Sequence, residues 1–166
     1  MRLAVILDDV RSVHNVGSIF RTADAAGVEK IYCCGITPGP LDRFKHVRRD
    51  FAKVSLGAEN SVAWENIKDI ASIIRTLKEE GWQMFAIEQG AGSIPYDAWN
   101  SIVSGDDEQK IALILGNEVG GVSAEVLVLA DAVLEIPMQG KKESLNVSVA
   151  FGVVVFDIRS QGGRIK

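Results

Sequence analysis

Cysteine is scarce in the 166-residue sequence: there are two, Cys33 and Cys34, side by side. Adjacent cysteines disfavour an unstrained disulfide with one another and fit two packed thiols in a reducing compartment. Histidine is equally scarce. His14 and His46 lie far apart and no Cys or His cluster has ligand spacing, so no metal site is expected. No basic segment followed by an apolar run opens the chain, and its longest apolar tract, residues 147–158, is too short and too interrupted to span a bilayer. A soluble, cytoplasmic protein with no membrane partner is the expectation. A net positive charge is also lacking. A formal net charge of -4 argues against nucleic-acid binding by bulk charge, while leaving room for a local basic patch.

The common ligand signatures are missing as well. Gly140-Lys141 is followed by Lys142 where a P-loop needs Ser or Thr, and Glu135 stands where its first glycine would fall. Gly90 and Gly92 lack the third glycine of the dinucleotide fingerprint, Pro95 being in its place. No Gly-x-Ser-x-Gly nucleophile elbow occurs.

What remains is an ordinary globular composition, 47% hydrophobic and 24% charged, at a length suited to one domain over residues 1–166. Residues 3–7 read as a buried strand ending in Asp8-Asp9. Paired acids also open phosphoacceptor receiver domains, but the next strand, residues 30–35, ends in Cys-Cys-Gly where a further aspartate would be needed. Between them Ile19, Phe20, Ala23 and Ala26 recur at helical spacing over about residues 16–26, with Asn15 as N-cap and Gly27 as stop.

A turn-rich stretch, 36–40, leads towards a short strand at 61–64 and an amphipathic helix at 65–80 carrying Ile67, Ile70, Ile73, Ile74 and Leu77. Strands at 82–87 and 111–115 run into the loops 88–92 and 116–121. Residues 134–156 then join an apolar strand to an apolar helix, 145–160, through the polar loop MQGKKES, before a tail at 160–166 that reads as frayed. Alternating strands and helices favour an α/β fold, a mainly parallel sheet with helices on both faces. Polar groups gathered where a buried strand meets a buried helix mark a ligand site. The last helix is apolar on every side, which one small domain cannot cover, so a second subunit is its natural partner.

Residues 42–53, DRFKHVRRDFAK, set Arg43, Lys45, Arg48, Arg49, Lys53 and His46 around only two acids, with Phe44 and Phe51 interleaved. Two readings are open: a solvated helix with a two-residue apolar stripe, or a phosphate-binding face.

Three segments together carry a resemblance. Residues 15–23, NVGSIFRTA, are similar to an Asn-x-Gly-x-x-x-Arg-Thr-Ala signature. Residues 113–121, LILGNEVGG, look like a strand with a Gly-x-Glu-x-x-Gly loop. Residues 136–138, IPM, and 144–150, SLNVSVA, match Ile-Pro-Met and Ser-Leu-Asn-Val-Ser. In that order they resemble the SpoU (TrmH-like) family of RNA ribose 2'-O-methyltransferases in the SPOUT class, and they span nearly the whole chain. The chain lacks the glycine-rich loop after the first strand that common methyltransferases use.

The resemblance implies a C-terminal deep trefoil knot, a topology sequence pattern does not supply. It implies S-adenosylmethionine as cofactor, held by backbone groups of Leu115, Gly116, Ile136, Met138 and Leu145, with Glu88 lining the same pocket. It implies a homodimer acting on RNA, tRNA or rRNA, and a catalytic domain without the extra RNA-binding domain some members carry. Recognition would then fall to this domain's own surface, with Arg43, Lys45, Arg48, Arg49 and Lys53 as the RNA-binding candidates.

Arg21 matches the family's catalytic arginine, which is described as activating the ribose hydroxyl. A guanidinium with a pKa above ~12 rarely gives up its proton, so electrostatic help to the developing alkoxide is the preferred role. Asn15, Glu118, Ser144 and Asn146 would orient Arg21 and the ribose. Capping remains an alternative for Asn15 and Asn146, and a plain turn carboxylate for Glu118. Two other functions stay in view: a catalytically inactive knotted RNA-binding protein, and a small-molecule-binding α/β domain with no RNA partner.

Overall fold

The computed structural model describes residues 1–103 and 109–162. Its strands, β1 (Arg2–Asp8), β2 (Lys30–Cys34), β3 (Ala63–Ile67), β4 (Gln83–Ile87), β5 (Ile94–Pro95), β6 (Lys110–Leu115) and β7 (Ala132–Glu135), form one sheet in the order β3-β2-β1-β6-β4-β7-β5. Every pairing is parallel. The helices are α1 (Val13–Ala25), α2 (Arg49–Ser55), α3 (Ala58–Ser61), α4 (Ile70–Glu79), α5 (Ala124–Leu129) and α6 (Val147–Gly162), with a 3-10 turn at Tyr96–Ser101. No described helix is long and apolar enough to cross a membrane.

The period of two along each strand explains the two cores. In β1, Leu3, Val5 and Leu7 enter a cluster with Ile19 and Phe20 of α1, Phe51 of α2, and Phe151, Val154, Val155 and Ile158 of α6. Ala4 and Ile6 enter the opposite cluster with Ile74 and Leu77 of α4 and Val126 of α5. Because both faces are covered, the central strands are continuous apolar runs rather than alternating ones. Cys33 and Cys34 follow the same rule. Each packs into a different core, both are free, and burial pushes Cys33 up to about 12 and Cys34 higher still. Neither thiol is available as a nucleophile.

Several elements differ from the sequence expectations. The N-cap of α1 is Ser12, not Asn15: the Ser12 side chain accepts from the Asn15 amide at 3.2 Å, so Asn15 lies inside the first turn. The short strand expected at 61–64 is present but shifted, because α3 ends at Ser61 and β3 runs from Ala63 to Ile67. The expected helix does not run from 65. Ile67 belongs to β3, and Asp69 starts α4 by accepting from the amides of Ala71 and Ser72 at 3.0 and 3.3 Å. The basic segment is helical only from Arg49 onward, and Phe51 is fully buried while Phe44 is 64% exposed, so the two do not form a stripe. Helix α6 continues to Gly162, which removes Ser160 to Gly162 from the frayed tail; residues 163–166 lie outside the described residues.

Helices α1 and α6 both run from the carboxyl edge of the sheet to its amino edge. At the far end Arg159 of α6 donates to the carbonyls of Ala26 at 2.7 Å, Met1 at 3.1 Å and Gly27. At the near end their first turns face the loops that follow β6 and β7.

Candidate active site

Strands β6, β4 and β7 are neighbours and parallel, so the loops after Ile87, Leu115 and Glu135 leave the sheet on one edge. There they enclose a cleft of about 290 Å³, lined by Ile87, Glu88, Leu115, Gly116, Leu134, Ile136, Met138 and Leu145, with polar groups from Asn117, Glu118, Ser144 and Asn146. A concave, mainly apolar site with a few converging polar groups at the carboxyl ends of parallel strands is the usual place for a ligand in α/β proteins.

The loop after β6 is shaped by its own contacts. Asn117 and Gly121 exchange backbone hydrogen bonds at 3.1 and 3.0 Å, while the Asn117 side-chain oxygen accepts from Val119 and Gly120. A Cβ at Gly116 would run into the backbone of Gly121 and Val122, and one at Gly121, whose φ is +67, into the Glu88 carboxylate. These two glycines therefore let the chain approach itself. Glu88 in turn accepts from the amides of Gln89 at 2.9 Å and Val122 at 3.0 Å, fixing the loop after β4 against the loop after β6.

Beside the cleft, a chain of hydrogen bonds joins the three segments singled out in the sequence. Glu118 Oε1 accepts from Asn15 Nδ2 at 2.8 Å and from the Ser12 amide at 3.1 Å, and its Oε2 accepts from the Arg11 amide at 3.1 Å. Asn15 Oδ1 accepts from Asn146 Nδ2 at 3.1 Å. Asn146 Oδ1 accepts from the amide and hydroxyl of Ser148 at 2.9 and 2.7 Å, so Asn146 also caps α6. Desolvation tends to raise the Glu118 pKa, but the hydrogen bonds from Asn15, Arg11 and Ser12 outweigh it and hold the carboxyl below its ordinary value. The start of α1 adds to this, since a helix N-terminus favours negative charge.

The other predicted residues are distributed as follows. Leu115, Gly116, Ile136, Met138, Leu145 and Glu88 line one cleft, together with Glu118, Ser144 and Asn146. Arg21 does not line it. It is exposed further along α1 and makes no hydrogen bond or ion pair with the described residues. Arg49 and Lys53 are exposed on α2, which packs closely on α1: a Cβ at Gly17 would meet Val54 Cβ at 3.0 Å, and Phe20 meets Phe51 edge-to-face at 5.0 Å. Arg43 and Lys45 project from the preceding turn. Arg48 is half-buried, and its Nε has no hydrogen-bond partner among the described residues.

Sequence reasoning missed Ser12, which caps α1, and Asn117 and Gln89, which line the cleft. A serine three residues before Asn15 is a readable capping signal, and Asn117 before a Gly-Gly pair a readable turn signal. Gln89 carries no comparable signal. Asp8 and Asp9 are structural. Asp8 Oδ2 accepts from the Ser123 amide at 3.0 Å, and Asp9 Oδ1 from the Ile36 amide at 2.9 Å.

Comparison with known proteins gives a consistent result. The model of the SpoU rRNA Methylase family matches residues 2–156. The 23S rRNA (guanosine-2'-O-)-methyltransferase RlmB of Ralstonia nicotianae is 34% identical over 155 residues, covering 93% of this chain and 57% of that protein. The chain thus spans less than two thirds of the curated relative's length. Among solved structures, the A. aeolicus TrmH/SpoU tRNA modifying enzyme aligns with a TM-score of 0.81 at 28% identity, covering 97% of this chain and 75% of that one. The AdoMet-bound rRNA methyltransferase from Sinorhizobium meliloti aligns with a TM-score of 0.82 at 29% identity, covering 96% and 56%. With a family model matched over residues 2–156 and the three segments joined by the Glu118–Asn15–Asn146 hydrogen bonds beside the cleft, the chain belongs to the SpoU rRNA methylase family.

Proposed function

We propose that the protein transfers a methyl group from S-adenosylmethionine to a ribose 2'-hydroxyl of RNA, tRNA or rRNA. The observation that carries this reading is the Glu118–Asn15–Asn146 chain, which brings the three family segments together beside one cleft.

The cleft fits the cofactor. Ile87, Leu115, Leu134, Ile136, Met138 and Leu145 offer apolar walls to a purine ring, and Glu88, Asn117 and Ser144 offer polar groups to a ribose and an amino-acid portion. Leu115, Gly116, Ile136, Met138 and Leu145 would hold it, with Glu88 at the wall. S-adenosylmethionine, when bound, supplies an electrophilic methyl group on a sulfonium. The chain's own residues position the nucleophile. Arg21, exposed and without a partner among the described residues, is placed to grip an RNA phosphate and favour the 2'-alkoxide electrostatically; the hydroxyl proton passes to water or phosphate, the oxygen takes the methyl group, and the S–CH3 bond breaks to leave the neutral thioether. Asn15, Glu118 and Asn146 set the start of α1, the helix that carries Arg21, and Ser144 faces the same cleft.

The family relationship and the strand order, with β6 and β7 on either side of β4, support a trefoil knot in the C-terminal part. A single catalytic domain over residues 1–166 is supported by one continuous sheet. A homodimer is supported by the exposed apolar stripe Val149, Val153 and Phe156 along the outer side of α6. Arg43, Lys45, Arg48, Arg49 and Lys53 would meet RNA, and a cytoplasmic location agrees with such a substrate.

Incubation with methyl-labelled S-adenosylmethionine and total RNA, followed by mapping of 2'-O-methylated nucleotides, tests the reading. Label in a 2'-O-methylated nucleotide is expected. Its absence from every RNA would favour an inactive RNA-binding protein.

A further inference from the structure

The turn between β2 and α2 has no role in the cleft, yet it is tightly built. Leu41 and Val47 form an antiparallel bridge. Asp42 closes the tip: its Oδ1 accepts from the amides of Phe44 at 2.8 Å and His46 at 2.9 Å, its carbonyl accepts from the Lys45 amide at 2.9 Å, and its amide donates to the His46 carbonyl at 2.9 Å. Lys45 sits at φ 62, a left-handed conformation that disfavours non-glycine residues. The Asp42 carboxyl is held below its ordinary value, first by the His46 amide.

This turn exposes side chains outside the core, with His46 Nδ1 3.7 Å from Asp42 Oδ2. The Phe44 ring is 64% exposed, with the Arg43 guanidinium 4.7 Å from its centroid and the His46 ring centroid 6.3 Å away. Lys45 is exposed on the same turn, and Arg49 and Lys53 are exposed on α2 immediately after it. An aromatic face backed by a cation and flanked by further cations matches the way proteins hold unpaired nucleotides: base on ring, phosphates on Lys and Arg. Single-stranded RNA fits better than a protein partner because the surrounding charge is positive on a chain of net charge -4.

We propose that the 42–46 turn is a base-stacking platform, on which Phe44 backed by Arg43 takes an unpaired base of single-stranded RNA while Lys45 holds a neighbouring phosphate. The platform rests on the reading of the protein as an RNA methyltransferase, and it reads RNA outside the cofactor cleft.

The test is direct binding of oligouridylate and of a duplex RNA of equal length to the full chain, without cofactor. Phe44→Ala and Phe44→Leu should melt like the parent protein, because the ring is exposed, and should weaken oligouridylate binding roughly 5- to 150-fold. Duplex binding should stay unchanged, and Phe44→Tyr should restore the single-strand affinity. Lys45→Gly relieves the left-handed backbone and should reduce the salt slope of single-strand binding by about 0.7, the share of one phosphate contact. Undiminished oligouridylate binding by Phe44→Ala, full retention by Phe44→Leu, or equal loss on duplex RNA would overturn the platform. If Phe44-dependent binding is found but no methyl transfer to any RNA occurs, the platform stands and the enzymatic reading fails. If transfer occurs with Phe44→Ala binding as the parent does, the reverse holds.

Discussion

Glu118 holds two amides at the entry to α1 and one side-chain amide within it, so its charge is coupled to the geometry of the site. Because its carboxyl is depressed in the folded protein, its contribution to stability is fully present above the ordinary glutamate pKa and is lost as pH falls through the folded value. Glu118→Gln should therefore destabilise the protein at neutral pH by roughly 1 kcal/mol, at the low end for charged hydrogen bonds because the carboxylate is exposed. The gap between variant and parent should narrow on acidification. Thermal melts across pH check this, and parallel profiles would count against it. Arg21 makes a separate claim. Arg21→Ala should bind S-adenosylmethionine as the parent does, by calorimetry, while methyl transfer falls about 10²- to 10³-fold, the usual loss on removing one oxyanion donor. Retained turnover would remove Arg21 from the mechanism. The identities of Asn15, Glu118 and Asn146 were legible as motif positions. Their mutual hydrogen bonds were not, because residues more than a hundred positions apart meet only once the sheet has ordered their loops.

Among the elements, the central strands and α1 were legible because continuous apolar runs and a 3.6-residue period have few alternatives. The stretch from 61 to 69 was not. Ile67 keeps the helical spacing of Ile70 and Ile74, yet it lies in β3 and pairs with Cys34 of β2, and the Asp69 cap sets the helix start where the spacing gives no mark. The long final helix was legible by length in spite of its valines, which alone favour a strand. Its buried side, Phe151, Val154, Val155 and Ile158, and its outer side, Val149, Val153 and Phe156, both keep helical spacing. That two-sided pattern separates a helix covered by its own domain from one with a second face to bury.

For the whole molecule, composition and alternation led to the parallel sheet with two covered faces, whereas strand order was beyond reach, since nothing in β6 marks it for a place between β1 and β4. The exposed side of α6 makes an assembly prediction. The parent protein should sediment as a dimer at micromolar concentration, and Val149→Asp together with Phe156→Asp should sediment as a monomer; a monomeric parent would leave that face without a copy to cover it. At the opposite edge, Arg159 ties the end of α6 to the carbonyl of Met1 and to the turn after α1. The two ends of the described chain thus leave the molecule side by side, behind the sheet as seen from the cleft. A tether attached at Met1 would anchor the protein by its back, with the mouth of the cleft turned outward.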